Sequence, residues 1–498
     1  DEPVPGDLCA SKPARPFTYE STFAHEYQHL LEYYEDPDEV NWINEGLSDW
    51  AQTLTGYVDP SLPITDQDFD SHIQCFLGYL GTQTEANPNP RRGGPENSLT
   101  AWQDQGEDEI LCDYGAAYTM MEYLHGLYGT DFMTALHTDD GNGLASLEEL
   151  AAAQGSDTAA DLVHRWAAMA ALDGVLDDGA TLTGGTEADY QADTLDASIN
   201  WDETHAYSKP GAPPNGSDYV RLRDAQGNYL QASEIDEVAF DGASQLAPLP
   251  LQWKVDGDPP QHDSKALYSG SGPNFDRSLV RRVYVRKKNP TVSFQTKWNT
   301  EESWDFGFVQ ISTDGGKTYK SLSNRDTTSV TDAGAIPIVK QNVPGFSGNS
   351  KGWRKETFNL KKYAGQSILL SFRYVTDSGV DLPGWWIDDL KMGRKSISHG
   401  LSLSEWRTAT QIRPKQVSGF TVQLVAYDDA HSKAWVAEVP LDASFAGSLD
   451  AAGVDDAVGT EAETVAALVT YDEPTELISP PQYARYELTV NGVAQPGG

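Results

Sequence analysis

FAHEYQHLLEYYEDPDEVNWINEGLSDW, residues 23–50, sets two histidines four apart around a glutamate and follows them, after one short loop, with Glu45 and Asp49. On a helix, residues i and i+4 share a face, so the imidazoles of His25 and His29 can reach one metal ion. Glu26 lies next to His25 and can hold a proton near that metal without ligating it. The continuation INEGLSDWAQTL reads as the start of a second helix. Its Glu45 can complete a His2Glu site that leaves one position open for water. Asp49, one turn further on the same face, is suited to accept the free N–H of a liganding histidine, which fixes that ring's tautomer.

Working outward, apolar residues recur at spacings of three and four in YGAAYTMMEYLHGLYG and DTAADLVHRWAAMAAL, so residues 19–174 read as mainly helical. Residues 175–218 are rich in Gly, Asp and Pro and read as a linker. From 219 the pattern changes to period two with β-branched and aromatic residues, as in VRRVYVRK, TVSFQTKWN and SILLSFRYV. The expected fold class is therefore multidomain α+β. A helical domain (1–174) is followed by a jelly-roll β-sandwich (219–398) and a small C-terminal β domain (399–498).

The chain of 498 residues carries a formal charge of −40, unevenly spread. Residues 1–200 hold 5 basic side chains (Lys12, Arg15, Arg91, Arg92, Arg165) against 38 acidic ones, and the remainder holds 30 against 37. Such a balance repels phosphates, so nucleic acid and anionic membranes are not expected partners. No apolar run is long enough to span a bilayer. The first residue is Asp1, which fits a mature, processed or truncated chain. Three cysteines, Cys9, Cys75 and Cys112, allow one disulfide and one leftover thiol, or a bond to another fragment.

HExxH followed by NExxSD closely resembles the gluzincins, the thermolysin-like zinc metallopeptidases. Carried over residue by residue, the resemblance makes His25, His29 and Glu45 zinc ligands, Glu26 the general base and Asp49 the carboxylate that orients His25. It also implies an oxyanion donor downstream. ILCDYGAAYTMMEYLHGLYG is similar to the helix that carries such a tyrosine, which selects Tyr114, with Tyr118 second. A metzincin would continue with a glycine and a third histidine, but Glu32 and Glu35 stand there. His125, His137 and His164 receive no role. Gluzincins also place a β-sheet subdomain before the active-site helix, and only 24 residues precede His25. A further N-terminal fragment is accordingly an expected partner.

A second resemblance covers residues 219–398. SFQTKWNTEESWDFGFVQISTDGGKTYKSL, PGFSGNSKGW and LLSFRYVTDSGVDLPGWWIDDLKM look like the β module of the immune inhibitor A metalloproteases. It implies a jelly roll, with Glu302, Asp305 and Asp388 as ligands of a structural calcium; Trp385 and Trp386 are expected between the sheets, the alternative being that they face a ligand. Asp66, Asp68 and Asp70 alternate as in a cation-binding loop but lack the glycine and terminal glutamate of an EF-hand. The two resemblances together imply a secreted, extracellular zinc endopeptidase acting on protein or peptide. The alternative is an adhesion or carbohydrate-binding protein with a relic protease-like domain.

Overall fold

A computed structural model describes residues 17–37, 39–66, 69–80, 94–102, 110–155, 157–192, 194–202, 210–476 and 481–498. Cys9 and Asp68 lie outside them. The chain divides into two compact units, one formed by Asp1–Leu246 with Gln416–Gly498 and the other by Ala247–Lys415.

Among the described residues the first unit opens with seven helices: α1 (Thr18–Glu35), α2 (Asn41–Leu54), α3 (Ser71–Phe76), α4 (Ile110–Tyr128), α5 (Thr130–Thr138), α6 (Gly143–Gln154) and α7 (Ala159–Asp177). The three-and-four spacing buries Trp42, Ile43 and Leu47 of α2 with Met120, Met121 and Leu124 of α4 and Trp166, Met169 and Leu172 of α7. Helices α4 and α7 are apolar around most of their circumference and lie deepest, whereas α1 buries only Ser21 and Glu32. A Cys75–Cys112 disulfide ties α3 to α4. Gly115 lets these two helices touch: a Cβ there would lie 2.0 Å from the carbonyl oxygen of His72.

The helices pack on a five-stranded sheet drawn from distant parts of the chain. Its order is Thr181–Thr183, Lys433–Glu438, Phe420–Tyr427, Thr464–Tyr471 and Ser217–Arg221, with only the first pair parallel. Alternation sends the two faces of its strands to different cores. Tyr219, Val425, Ala466 and Leu468 join the helical core. Val220, Val422, Leu424, Val465, Ala467 and Val469 face a second core. A four-stranded sheet of Ala446–Asp450, Glu237–Gly242, Tyr486–Val490 and Val493–Ala494 closes that second core with Phe240 and Leu488.

Three expectations about boundaries change here. The strands from the C-terminal stretch are not a domain of their own but belong to the helical unit, three of them in the sheet under the helices and three in the four-stranded sheet beyond it. Residues 175–218 are not a free linker. Leu195, Ile199 and Trp201 are buried in the helical core, and Asp173, itself buried, accepts hydrogen bonds from the N–H groups of Ala192 and Ala197. The β module begins near 247 rather than 219, because Ser217–Arg221 pairs with Thr464–Tyr471. Period two identifies a strand and its faces but not the strand it pairs with.

The second unit contains two antiparallel sheets over one core. The first sheet has the order Arg354–Asn359, Thr291–Asn299, Gly384–Met392, Ala266–Tyr268 and Lys254–Asp256, with Lys395–Ser398 also on Gly384–Met392. The second has the order Asp276–Tyr284, Ser367–Val375, Phe306–Ser312 and Lys320–Ser321. Both contribute to a core that includes Trp253, Trp298, Phe372, Trp385 and Trp406. Trp385 donates from its indole N–H to Thr296 Oγ1 at 2.7 Å. Trp386, also buried, stacks on Tyr268 and donates to Asp256.

Candidate metal centre

Helices α1 and α2 meet through polar groups. His25 Nδ1–H donates to Asp49 Oδ1 at 2.9 Å. His29 Nδ1 lies 2.5 Å from Asn44 Oδ1 and 3.1 Å from Ser48 Oγ, whose hydroxyl is itself committed to the Asn44 carbonyl. At the far end of α1, Glu32 bonds His137 of α5. The opposite face of α1 shows Tyr19, Phe23, Tyr27 and Tyr34 to solvent. What anchors this helix is thus its histidine-bearing face.

With a proton on each Nδ1, the Nε2 lone pairs of His25 and His29 point at one another across 3.0 Å. Glu45 Oε2 lies 3.4 Å from the first and 3.2 Å from the second. That oxygen is buried and has no hydrogen-bond donor. Three electron-rich atoms converging without a proton repel one another, and a cation among them removes the repulsion. The donor set fits a zinc ion. Among the described residues, His25, His29 and Glu45 form the one cluster of three such ligands, with all three ligand atoms within 4.8 Å of one another.

Protons are the competing occupants. Burial is the largest influence on His25 and pulls its pKa down, but Asp49 and Glu45 outweigh it and raise the value to about 10. Burial pushes Glu45 up, and the two imidazoles, whose Nε2 atoms lie 3.4 and 3.2 Å from its carboxylate, reverse this and bring it to about 2. A metal must therefore displace protons from this site, and its affinity rises with pH.

Asp49 is fully buried and bridges two histidines, since Oδ2 accepts from His72 Nδ1 at 2.7 Å while Oδ1 serves His25 and Gln52. Burial pulls His72 down, but Asp49 and Asp70 prevail and lift it to about 9. No spacing motif marks His72. It sits on the short helix α3, whose N-terminus Asp70 caps, and reaches the site through the disulfide-tied packing of α3 on α4.

Tyr114 stands one turn into α4 with its ring centroid 4.9 Å from that of His72 and 6.5 Å from that of His25. Burial, followed by the charges of Glu45 and Asp49, raises its pKa, so it remains a neutral donor. Tyr118 points elsewhere. It is wholly buried and lies 2.5 Å from the Thr53 hydroxyl. Glu26 is exposed, beside His25 in the same turn of α1.

Glu302, Asp305 and Asp388 are not brought together. Asp388 is occupied by His262 and Ser264, at 2.9 and 2.7 Å. Asp305 is buried beside Glu301 and Asp377, while Glu302 is exposed. Asp70 spends its carboxylate on capping α3.

Residues 246–397 match the family "Immune inhibitor A-like, MAM domain". The match coincides closely with the second compact unit. The "Pre-pro-metalloprotease PrtV" of Vibrio cholerae is 29% identical over 145 residues, which is 29% of this chain and 14% of that protein. "Bacillopeptidase F" of Bacillus subtilis is 26% identical over 105 residues, 21% of this chain and 6% of that protein. This chain thus carries an immune inhibitor A-like module together with a His/His/Glu cluster able to coordinate zinc.

Proposed function

We propose that the chain is part of a secreted zinc endopeptidase, with helices α1–α7 as the catalytic domain and residues 247–415 as a non-catalytic jelly-roll module. The observation that carries this reading is the convergence of His25 Nε2, His29 Nε2 and the donor-free Glu45 Oε2. Zinc, when bound, supplies Lewis acidity that acidifies water and polarises a carbonyl. Asp49 holds His25 in the tautomer that leaves Nε2 free. Asn44 does the same for His29. Glu26 removes a proton from the attacking water and delivers it to the leaving amine. Tyr114 donates a hydrogen bond to the developing oxyanion. His72 is a positioning residue: it grips the second oxygen of Asp49 and packs against the Tyr114 ring.

Secretion accords with the Cys75–Cys112 disulfide, since such bonds persist in oxidising compartments. Among the described residues no helix is long and apolar enough to cross a membrane. The substrate is protein or peptide. The test is zinc per chain by elemental analysis together with hydrolysis of casein by the wild type and Glu26→Gln. One zinc and cleavage that the substitution abolishes are expected. Absence of zinc after reconstitution would overturn the site. Zinc without cleavage by the wild type would favour the adhesion or carbohydrate-binding reading, with the helical domain a relic.

A further inference from the structure

The division of the chain into units exposes a charge separation that halving the sequence conceals. Residues 247–415 hold 25 of the 35 basic side chains and 16 of the 75 acidic ones, a net of +9, so the rest of the chain carries −49. Seven of these cations sit on three segments: VRKKNP (285–290), LKKYAGQ (360–366) and MGRK (392–395). These segments contain no acid. Strand register places them at the same end of the unit. The first two segments both cross between the sheets, from strand ends where Tyr284 faces Ser367 and Asn359 faces Thr291. The third is a hairpin turn reached where Met392 faces Val292. Backbone hydrogen bonds join them: Gly365 N–H donates to the Val285 carbonyl, Leu360 N–H to that of Pro290, and Gly393 N–H to that of Thr291.

Arg286, Lys287, Lys288, Lys361, Lys362, Arg394 and Lys395 are all exposed. Among the described residues none of the seven side chains has an ion pair, although the same unit pairs Arg281, Arg354 and Arg373 with acids. Like charges crowded on neighbouring turns repel one another, and an anionic ligand relieves that repulsion. The geometry points to this tip as a binding site for a linear anionic glycan, a polymer with repeated carboxylate or sulfate groups.

Three observations favour a glycan over other polyanions. The apolar residues of the three segments are not exposed: Val285, Leu360 and Met392 are buried, so nothing inserts into a bilayer. No aromatic ring within the segments is fully exposed to stack successive bases; the exposed Tyr284 alone stands beside them, as a single ring that a sugar can cover. With a net charge of −40 the chain as a whole repels a broad anionic surface or a long duplex, whereas a flexible polymer engages the tip within one Debye length, about 8 Å in physiological salt. This site is independent of the metal centre.

The test uses the full chain and immobilised heparin and polygalacturonate, with neutral dextran as the blank. Both anionic glycans are expected to bind, with affinity falling at least about tenfold between about 50 and 200 mM salt. The variant Lys287→Glu/Lys288→Glu/Lys361→Glu/Lys362→Glu is expected to bind at least tenfold more weakly, and the milder Lys361→Gln/Lys362→Gln in between. The reversal Lys254→Glu/Lys265→Glu/Lys297→Glu/Lys351→Glu changes the net charge equally away from the tip, two of its positions lying toward the opposite strand ends, and is expected to retain most binding. Equal loss in the two reversed variants, or no glycan binding by the wild type at low salt, would overturn the site. Tighter binding of duplex DNA or phosphatidylserine vesicles than of either glycan would overturn the choice of ligand.

Discussion

Replacing Asp49 by asparagine separates the charge of this residue from its shape. Oδ1 receives two hydrogen bonds, from His25 Nδ1 and Gln52 Nε2, each 2.9 Å long, whereas Oδ2 receives one from His72 Nδ1 at 2.7 Å. An amide in this place keeps its oxygen where two donors meet and turns its NH2 toward His72. His25 then retains its acceptor and the free lone pair on Nε2. The negative charge is lost, together with the bond to His72. Loss of such outer partners costs roughly 10–100-fold in metal affinity, and with the His25 contact kept Asp49→Asn belongs near tenfold, about 1.4 kcal/mol. Asp49→Ala removes the acceptor and leaves three donors facing a void. It belongs near 100-fold, with about 3 kcal/mol lost from the metal-free fold. The assay is zinc competition against a chromophoric chelator near neutral pH, with thermal melting followed by circular dichroism. Unchanged zinc affinity in a folded Asp49→Ala protein would refute the orienting role, and a larger loss in Asn than in Ala would refute the amide geometry.

Tyr114→Phe should lower kcat on a peptide by about 100-fold or more while KM and zinc content stay near wild type, because the lost donor acts in the transition state. Tyr118→Phe should leave kcat alone and cost about 1–2 kcal/mol of stability through the abandoned Thr53 hydroxyl; a kcat loss equal to that of Tyr114→Phe would reverse the assignment. Removing the Cys75–Cys112 bond, which closes a separation of 37 residues, should cost up to about 4 kcal/mol by chain entropy, and differential scanning calorimetry of the double serine variant measures it. In the β module, burial, then Asp377 and Glu301, push the Asp305 carboxyl up to about 7. The fold therefore holds a proton that the unfolded chain releases near pH 4, so stability declines as pH rises from about 4 through 7. Asp305→Asn should flatten that decline in a pH series of melting temperatures, and an unaltered slope would place the proton elsewhere.

The candidate cluster of His25, His29 and Glu45 was legible because helix geometry places the residues of each helix on one face. Four residues are about one turn, so the helix that presents His25 also presents His29, and α2 carries Glu45 and Asp49 on one face by the same rule. The β module was legible from its strand periodicity and from segments such as WWIDD, although its start was placed too early. His72 was not legible, since its approach to Asp49 depends on Gly115 allowing α3 and α4 into contact. The choice between Tyr114 and Tyr118 needed side-chain directions, because both lie on one helix a turn apart.

Pairing across long separations belongs wholly to tertiary structure. Nothing in residues 217–221 reveals that their neighbours are 466–470, or that Phe420–Tyr427, Lys433–Glu438 and Thr464–Tyr471 join them in the layer beneath the helices. The sum of charges shows the same division of labour. Composition determined that this chain is acidic, and a cut at residue 200 made both parts acidic as well. Only the fold gathered seven of the cations at one end of a single unit, because hydrogen-bonded register decides which turns become neighbours while sequence order does not.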